Sequence, residues 1–293
     1  VGKIHTALSK AGAEEPTTRQ MEETPAPPLP MPGSARPTAK ERRPERPAPQ
    51  ATAEGQRWDE RLDAASSVLT GIAESFRRLR ATILHPKKGQ PARTIMVTSS
   101  VPSEGKSFVC ANLGIAFAQG VEEHALLIDC DLRRPSLAQL FGLGNDRGLV
   151  NHLRGGDDLG GLIKKTSLDK LAIIPAGPPP MNPSELLGSE VMQALITEVS
   201  GRYPDRFIFF DSPPLQAASE TSVLAKQVDG IVLVVRWGRS GRKQVQQLVE
   251  TLGKEKILGV VFNACETGRL ESKLQGYSHG YDYYYTSGYG RKD

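Results

Sequence analysis

The chain has 293 residues, enough for one large or two modest domains, and its 37 basic and 33 acidic residues leave a formal charge of only +4. No long basic block marks it for nucleic acid, and the three cysteines, Cys110, Cys130 and Cys265, form no close pair that would suggest a disulfide framework or a cysteine metal site. No apolar run is long enough to cross a bilayer and the N-terminus lacks an apolar leader, so a soluble, cytoplasmic chain is expected, with any membrane association borrowed from a partner.

Residues 1–12 begin VGKIHTALSK and place Ile4 and Leu8 one helical turn apart, which predicts a short docking helix. From 13 to 56 the composition changes to Pro, Ala, Thr, Glu and Arg with few large apolar residues. Such a segment cannot offset its ordering entropy by burial and is read as a disordered linker with local polyproline character. Order resumes near Trp58, and 57–270 is read as one domain. Leu69, Ile72, Phe76, Leu79 and Ile83 recur at alternating spacings of three and four, the amphipathic-helix pattern. Glu74 and Arg77 lie on the opposite face and Arg80 at its margin. From pattern alone this is a solvated face on which Glu74 pairs with Arg77 and Arg78.

The run TIMVTSSVPSEGKS follows (94–107). A short apolar strand around Ile95–Val97 ends in small residues, bends through Pro102, Glu104 and Gly105, and gives way to a helix opened by Lys106 and Ser107. The spacing is that of a phosphate-binding loop, G-x-x-x-x-G-K-[ST], with Ser100 at the first glycine position. Strand, turn and helix N-terminus leave backbone N–H groups pointing into one concavity, which suits a phosphate. Lys106 would meet the outer phosphates and the Ser107 hydroxyl a Mg²⁺ ion.

Further short apolar strands are expected at HALLID (124–129), 171–174, RFIFFD (206–211), GIVLVV (230–235) and ILGVVF (257–262). A polar, Gly-rich region occupies 144–161. Helices are expected from about 184–185 through LLGSEVMQALITEV, over 217–227 and over 240–252. Apolar strands alternating with helices predict an α/β fold, a mostly parallel sheet covered on both faces, with ligands at the strand carboxyl ends. Asp129, Asp131, Asp211, Arg236 and Asn263 all fall at or just past such ends. Asp211 suits a carboxylate holding Mg²⁺ directly or through water, or equally a helix cap. Asp129 and Asp131, two residues apart, project the same way if the chain stays extended. One would then hold metal or water while the other accepts a proton; alternatively the pair caps the next turn. Together these features indicate ATP binding with phosphoryl transfer or hydrolysis.

The tail from 271 to 293 holds six of the seven tyrosines: Tyr277, Tyr281, Tyr283, Tyr284, Tyr285 and Tyr289. Glycine and polar spacers deny these rings a core, yet the flexibility lets each phenol reach an active site. On an oligomer the tail would supply acceptor at high effective concentration to a neighbour.

From Glu74 to Tyr289 the sequence resembles the bacterial tyrosine kinases of exopolysaccharide and capsule synthesis, P-loop enzymes akin to the MinD/ParA ATPases with their deviant Walker A loop. The resemblance rests on SSVPSEGKS, on the Walker A′ run LLIDCDLRRP, on the Walker B run FIFFDSPP and on the tyrosine cluster. It implies that Ser103, Glu104, Gly105, Lys106, Ser107 and Phe108 cradle the nucleotide, with Asn263 reading the adenine edge. Mg²⁺ would fall to Ser107, Asp129 and Asp211, with Asp131 as the proton acceptor. The family's Glu-x-x-Arg-x-x-Arg contact motif falls on Glu74, Arg77 and Arg80, which turns the charged helix face into an oligomer contact. KIHTALSKA resembles the start of exosortase-linked members, whose activator is a separate inner-membrane chain-length-determinant protein (a polysaccharide co-polymerase). A protein-tyrosine phosphatase would reset the cycle. Ser100 and Ser103 depart from the small residues usual in the loop, and Glu220 stands where many relatives carry Asp. A MinD/ParA-type positioning ATPase and a nucleotide-gated scaffold are the competing readings.

Overall fold

A computed structural model describes residues 57–62, 71–203, 205–217 and 220–264. The expected N-terminal helix and Pro-rich linker, Leu69, Cys265 and the whole tyrosine cluster lie outside the described residues. In chain order, α1 (Gly71–Leu84) leads to β1 (Thr94–Ser99), α2 (Lys106–Ala118), β2 (His124–Asp129), α3 (Leu137–Leu140) and α4 (Leu149–Leu153). Next come β3 (Lys164–Lys165), β4 (Leu171–Ile174), α5 (Pro183–Leu187), α6 (Glu190–Arg202) and β5 (Arg206–Asp211). The described residues finish with α7 (Glu220–Gln227), β6 (Gly230–Arg236), α8 (Arg242–Leu252) and β7 (Ile257–Asn263). One seven-stranded sheet runs β3-β4-β2-β5-β1-β6-β7, parallel throughout except for β3 against β4.

Successive strand residues face opposite sides of the sheet, and both sides are buried here. Ile95, Val97, Phe207, Phe209, Val232 and Val234 share one core with residues of α1 and α2. Met96, Ile208, Phe210, Ile231 and Leu233 share the other with Leu195 of α6, Leu224 of α7 and Leu248 of α8. That double burial explains why the strands read as continuous apolar runs rather than alternating ones. Every residue of α2 from Val109 to Ala118 is buried, Asn112 included. On the first face Phe117 packs against Phe207 and Phe209, with ring centroids 4.6 and 5.1 Å apart.

Three expectations need correction. The single helix expected after residue 184 is two, because Ser189 caps a new helix by accepting from the Met192 N–H at 3.2 Å. The Gly-rich region contains α4 and a 3₁₀ turn (Leu159–Leu162), each burying leucines that the polar spacing disguised. Ile72, assigned to the apolar face of α1, is 50% exposed, while Ala73, Phe76 and Ile83 are buried.

The sheet order sets up the site. β1 lies between β5 and β6, and Asp211 pairs in register with both Val97 of β1 and Asp129 of β2. The carboxyl ends of three neighbouring strands therefore meet at the loop that leaves β1. Phe117→Ala should lower the unfolding free energy in urea by about 3–5 kcal/mol, whereas Val121→Ala should change it by no more than about 0.5 kcal/mol. Phe117 is fully buried and Val121 is 93% exposed.

Candidate active site

The loop after β1 turns on two left-handed residues, Ser103 (φ 63°) and Gly105 (φ 90°). A Cβ at position 105 would run into the side-chain amide of Asn263, so glycine is needed for space as well as for φ. Glu104 points its buried side chain behind the loop. It accepts from the Val101 N–H at 3.1 Å, the Arg236 N–H at 3.2 Å and the Ser240 hydroxyl at 2.8 Å. The Asn263 Nδ2 donates to the Glu104 carbonyl at 2.8 Å. Glu104 and Asn263 thus tie the loop to the ends of β6 and β7. α2 begins at Lys106 with no side-chain cap, leaving its first-turn N–H groups for a ligand.

Lys106 and Asp131 form an ion pair at 2.7 Å. Asp131 also accepts from the Arg134 N–H at 3.1 Å. Asp129 accepts from the N–H groups of Asp131 at 3.2 Å and of Ser136 and Leu137, both at 3.0 Å. The chain therefore turns directly after β2 instead of staying extended, and Asp129 caps the turn that presents Asp131. Asp211 is different. Both its oxygens are buried with no donor in hydrogen-bond geometry, though the Ser107 hydroxyl lies close by.

Burial raises the Asp211 carboxyl to about 6, against the opposing pull of Lys106 and Ser107. Burial also pushes Asp129 well above the usual carboxylate range, and neighbouring Asp211 adds to it despite the Leu137 and Ser136 N–H donors. Lys106 is raised: burial works against its charge, but Asp211 and Asp131 outweigh it. A cavity of about 490 Å³ opens over these groups, lined by Ser103, Lys106, Ser107, Phe108, Asp131 and Arg133 among others. Asp129 and Asp211 are fully buried and are not among the residues that line it.

These residues fit a magnesium-bound nucleotide. The α2 N-terminus is uncapped, and the Asp211 oxygens are orphaned beside the Ser107 hydroxyl. Among the described residues no cluster of three His, Cys, Asp or Glu side chains could hold a metal. Mg²⁺ takes one or two protein groups and fills the rest of its shell with water and phosphate oxygens.

Elsewhere on the rim, a buried Glu220 accepts from Arg133 at 3.4 Å and from the Ser184 hydroxyl at 2.9 Å. Arg133 also donates to Ser184 at 3.0 Å. Of the three, sequence reasoning singled out Glu220 alone, because nothing in their spacing joins three segments so far apart. On α1, Glu74 pairs with Arg77 at 2.8 Å and with Arg78 at 3.6 Å. Arg80 turns inward and donates to the Ala116 carbonyl of α2 at 2.7 Å.

A raised carboxyl pKa contributes stability that is fully present below the unfolded value and is lost as pH rises through the folded one. For Asp211 that window runs from the ordinary carboxylate value to about 6. Without nucleotide or divalent cation, Asp211→Asn should match wild type near about pH 4 and exceed it near about pH 7.5 by about 3 kcal/mol at most, read by urea unfolding. A wild-type advantage at the higher pH would contradict the assignment.

Residues 95–277 match the CobQ/CobB/MinD/ParA nucleotide binding domain. The tyrosine-protein kinase YwqD of Bacillus subtilis is 32% identical over 241 residues, 82% of this chain and 95% of that protein. The tyrosine-protein kinase wzc of Salmonella typhimurium is 32% identical over 216 residues, 73% of this chain but 29% of that longer protein. Among solved structures, the kinase domain of the Escherichia coli tyrosine kinase ETK superposes with a TM-score of 0.63 at 29% identity, over 75% of this chain and 84% of that one. The chain belongs to the CobQ/CobB/MinD/ParA nucleotide-binding family and, within it, to the tyrosine-protein kinases that include YwqD.

Proposed function

We propose that this protein is an ATP- and Mg²⁺-dependent protein-tyrosine autokinase that phosphorylates its own C-terminal tyrosine cluster in trans within an oligomer and so regulates exopolysaccharide polymerisation or export. The observation that carries this reading is the Lys106–Asp131 pair on the wall of one cavity at the α2 N-terminus, beside the buried strand-tip pair Asp129 and Asp211. The uncapped N–H groups around Gly105 bind the phosphates, and Lys106 neutralises them. Ser107, Asp211 and Asp129 would hold Mg²⁺, which would supply positive charge to offset that of the phosphate oxygens. Asp131 accepts the phenol proton; the phenol oxygen bonds to phosphorus as the bond to the leaving oxygen breaks and ADP departs. Asn263, whose amide donates to the Glu104 carbonyl, is the residue assigned to the adenine edge.

The acceptors are Tyr277, Tyr281, Tyr283, Tyr284, Tyr285 and Tyr289, delivered by a neighbouring subunit. Each phosphate adds roughly −1.5 to −2 charge, so a multiply modified tail is repelled from the carboxylate-lined cleft and released. No helix of the described residues is long and apolar enough to cross a membrane. Recruitment from the cytoplasm by a separate chain-length-determinant activator, with a phosphatase to reset the tail, completes the cycle.

Purified protein given ATP·Mg²⁺ and its activator should carry several tail phosphotyrosines by peptide mass spectrometry, and Asp131→Asn should form them about 10²–10⁴-fold more slowly. Phosphate release with an unmodified wild-type tail would favour a positioning ATPase instead. The α1 contact separates by a second experiment. Arg77→Glu should dissolve the oligomer in sedimentation velocity while leaving the melting temperature near wild type. Arg80→Ala should lower that temperature as well, because Arg80 also holds a carbonyl of its own subunit.

A further inference from the structure

Three segments distant in sequence meet at the rim of the nucleotide cavity: the turn after β2, the start of α5 and the start of α7. Arg133 Nη2 donates to both Ser184 Oγ and Glu220 Oε1, and Ser184 Oγ donates to Glu220 Oε2 at 2.9 Å. The two ends of this ion pair are unlike. The Glu220 side chain is 1% exposed and that of Arg133 47% exposed. A pair exposed at both ends would contribute little and hold no fixed geometry. A carboxylate buried with these two partners cannot release its arginine without leaving a charge uncompensated, so the guanidinium is held in place. Only Nη2 is used; Arg133 Nε and Nη1 have no acceptor among the described residues, and Arg133 lines the same cavity as Lys106 and Ser107.

A fixed guanidinium with donors unused on Nε and Nη1 suits a phosphate oxygen, which accepts a strong charge-assisted bond from either one. Its place in the chain indicates which phosphate. The inner phosphates fall to the loop and the α2 N-terminus. Arg133 lies two residues beyond Asp131, on the segment that carries the proposed proton acceptor. We infer that Glu220 and Ser184 position Arg133 as an arm that grips the terminal phosphate of the bound nucleotide. The inference rests on the nucleotide reading above and adds one thing: Arg133 discriminates ATP from ADP, and Glu220 is the positioning residue that makes it do so.

The test compares affinities of the full chain, with Mg²⁺, for ADP and for a non-hydrolysable ATP analogue by titration calorimetry. Arg133→Gln should lose about tenfold or more in affinity for the analogue while ADP affinity changes by no more than about twofold. Glu220→Gln and Ser184→Ala should shift the same ratio in the same direction by smaller factors. Glu220→Asp, which keeps the charge, should preserve the ratio better than Glu220→Gln. A merely structural role would weaken both nucleotides alike. Equal losses for the two nucleotides, or an unchanged ratio in Arg133→Gln, overturn the arm and leave the nucleotide site standing. A wild-type protein that binds neither nucleotide overturns the site itself and the arm with it.

Discussion

Two aspartates stand side by side at the tips of adjacent strands, and the site is arranged to make that tolerable. Asp129 and Asp211 are register partners across β2 and β5, about 5 Å apart along the hydrogen-bonding direction, and both are fully buried. Burial is the main reason both carboxyls are raised; the neighbouring charge of Asp211 adds to it at Asp129, and that of Asp131 at Asp211. Lys106 supplies a compensating cation, and its own charge is stabilised by the same acids. The lysine reaches them because β1 lies beside β5 and sends its loop over the strand tips. Strand order, loop conformation and the ionisation of three side chains are therefore one constraint. A divalent cation at the orphaned Asp211 oxygens would supply the charge that the protein alone leaves short.

The loop meets this demand with few glycines. Between Ser99 and Lys106 only Gly105 is a glycine, and Ser103 takes a left-handed conformation at a cost on the order of 1 kcal/mol. Rigidity comes from Glu104, whose carboxylate collects two N–H groups and a hydroxyl from both sides of the loop. Such a carboxylate resembles a small folding nucleus for the turn, drawing Val101, Arg236 and Ser240 to one point. Asn263 closes the other side by donating to the Glu104 carbonyl. The shape presented to phosphates is thus set from behind, by residues that face away from the cavity.

Much of this was legible in the chain. HALLID and RFIFFD are the strands β2 and β5 to the residue, because runs buried on both faces have sharp ends where a charged side chain begins. The phosphate loop and the start of α2 at Lys106 followed from motif spacing that backbone geometry requires. What stayed hidden depended on contacts between distant segments. Asp129 could equally be read as a metal ligand or a turn cap, and only the Ser136 and Leu137 N–H bonds show the cap. Glu104 reads as a loop residue until β6 is brought beside it. The break between α5 and α6 turns on whether Ser189 caps, which the run LLGSEVM leaves open. Ile72 fits the helical period but falls outside the stripe that α1 actually buries.

The inward turn of Arg80 ties two ends of one rod together. Helix α2 is thirteen residues long, about 20 Å, and is buried along most of its length. Its amino end carries Lys106 and Ser107; near its carboxyl end the Ala116 carbonyl receives the guanidinium of α1. A cation at that end and an anion at the other are both favoured by the same macrodipole. Any coupling carried along this rod between an event at Arg80 and nucleotide binding at Lys106 has to be equal in both directions, since linkage between equilibria is reciprocal.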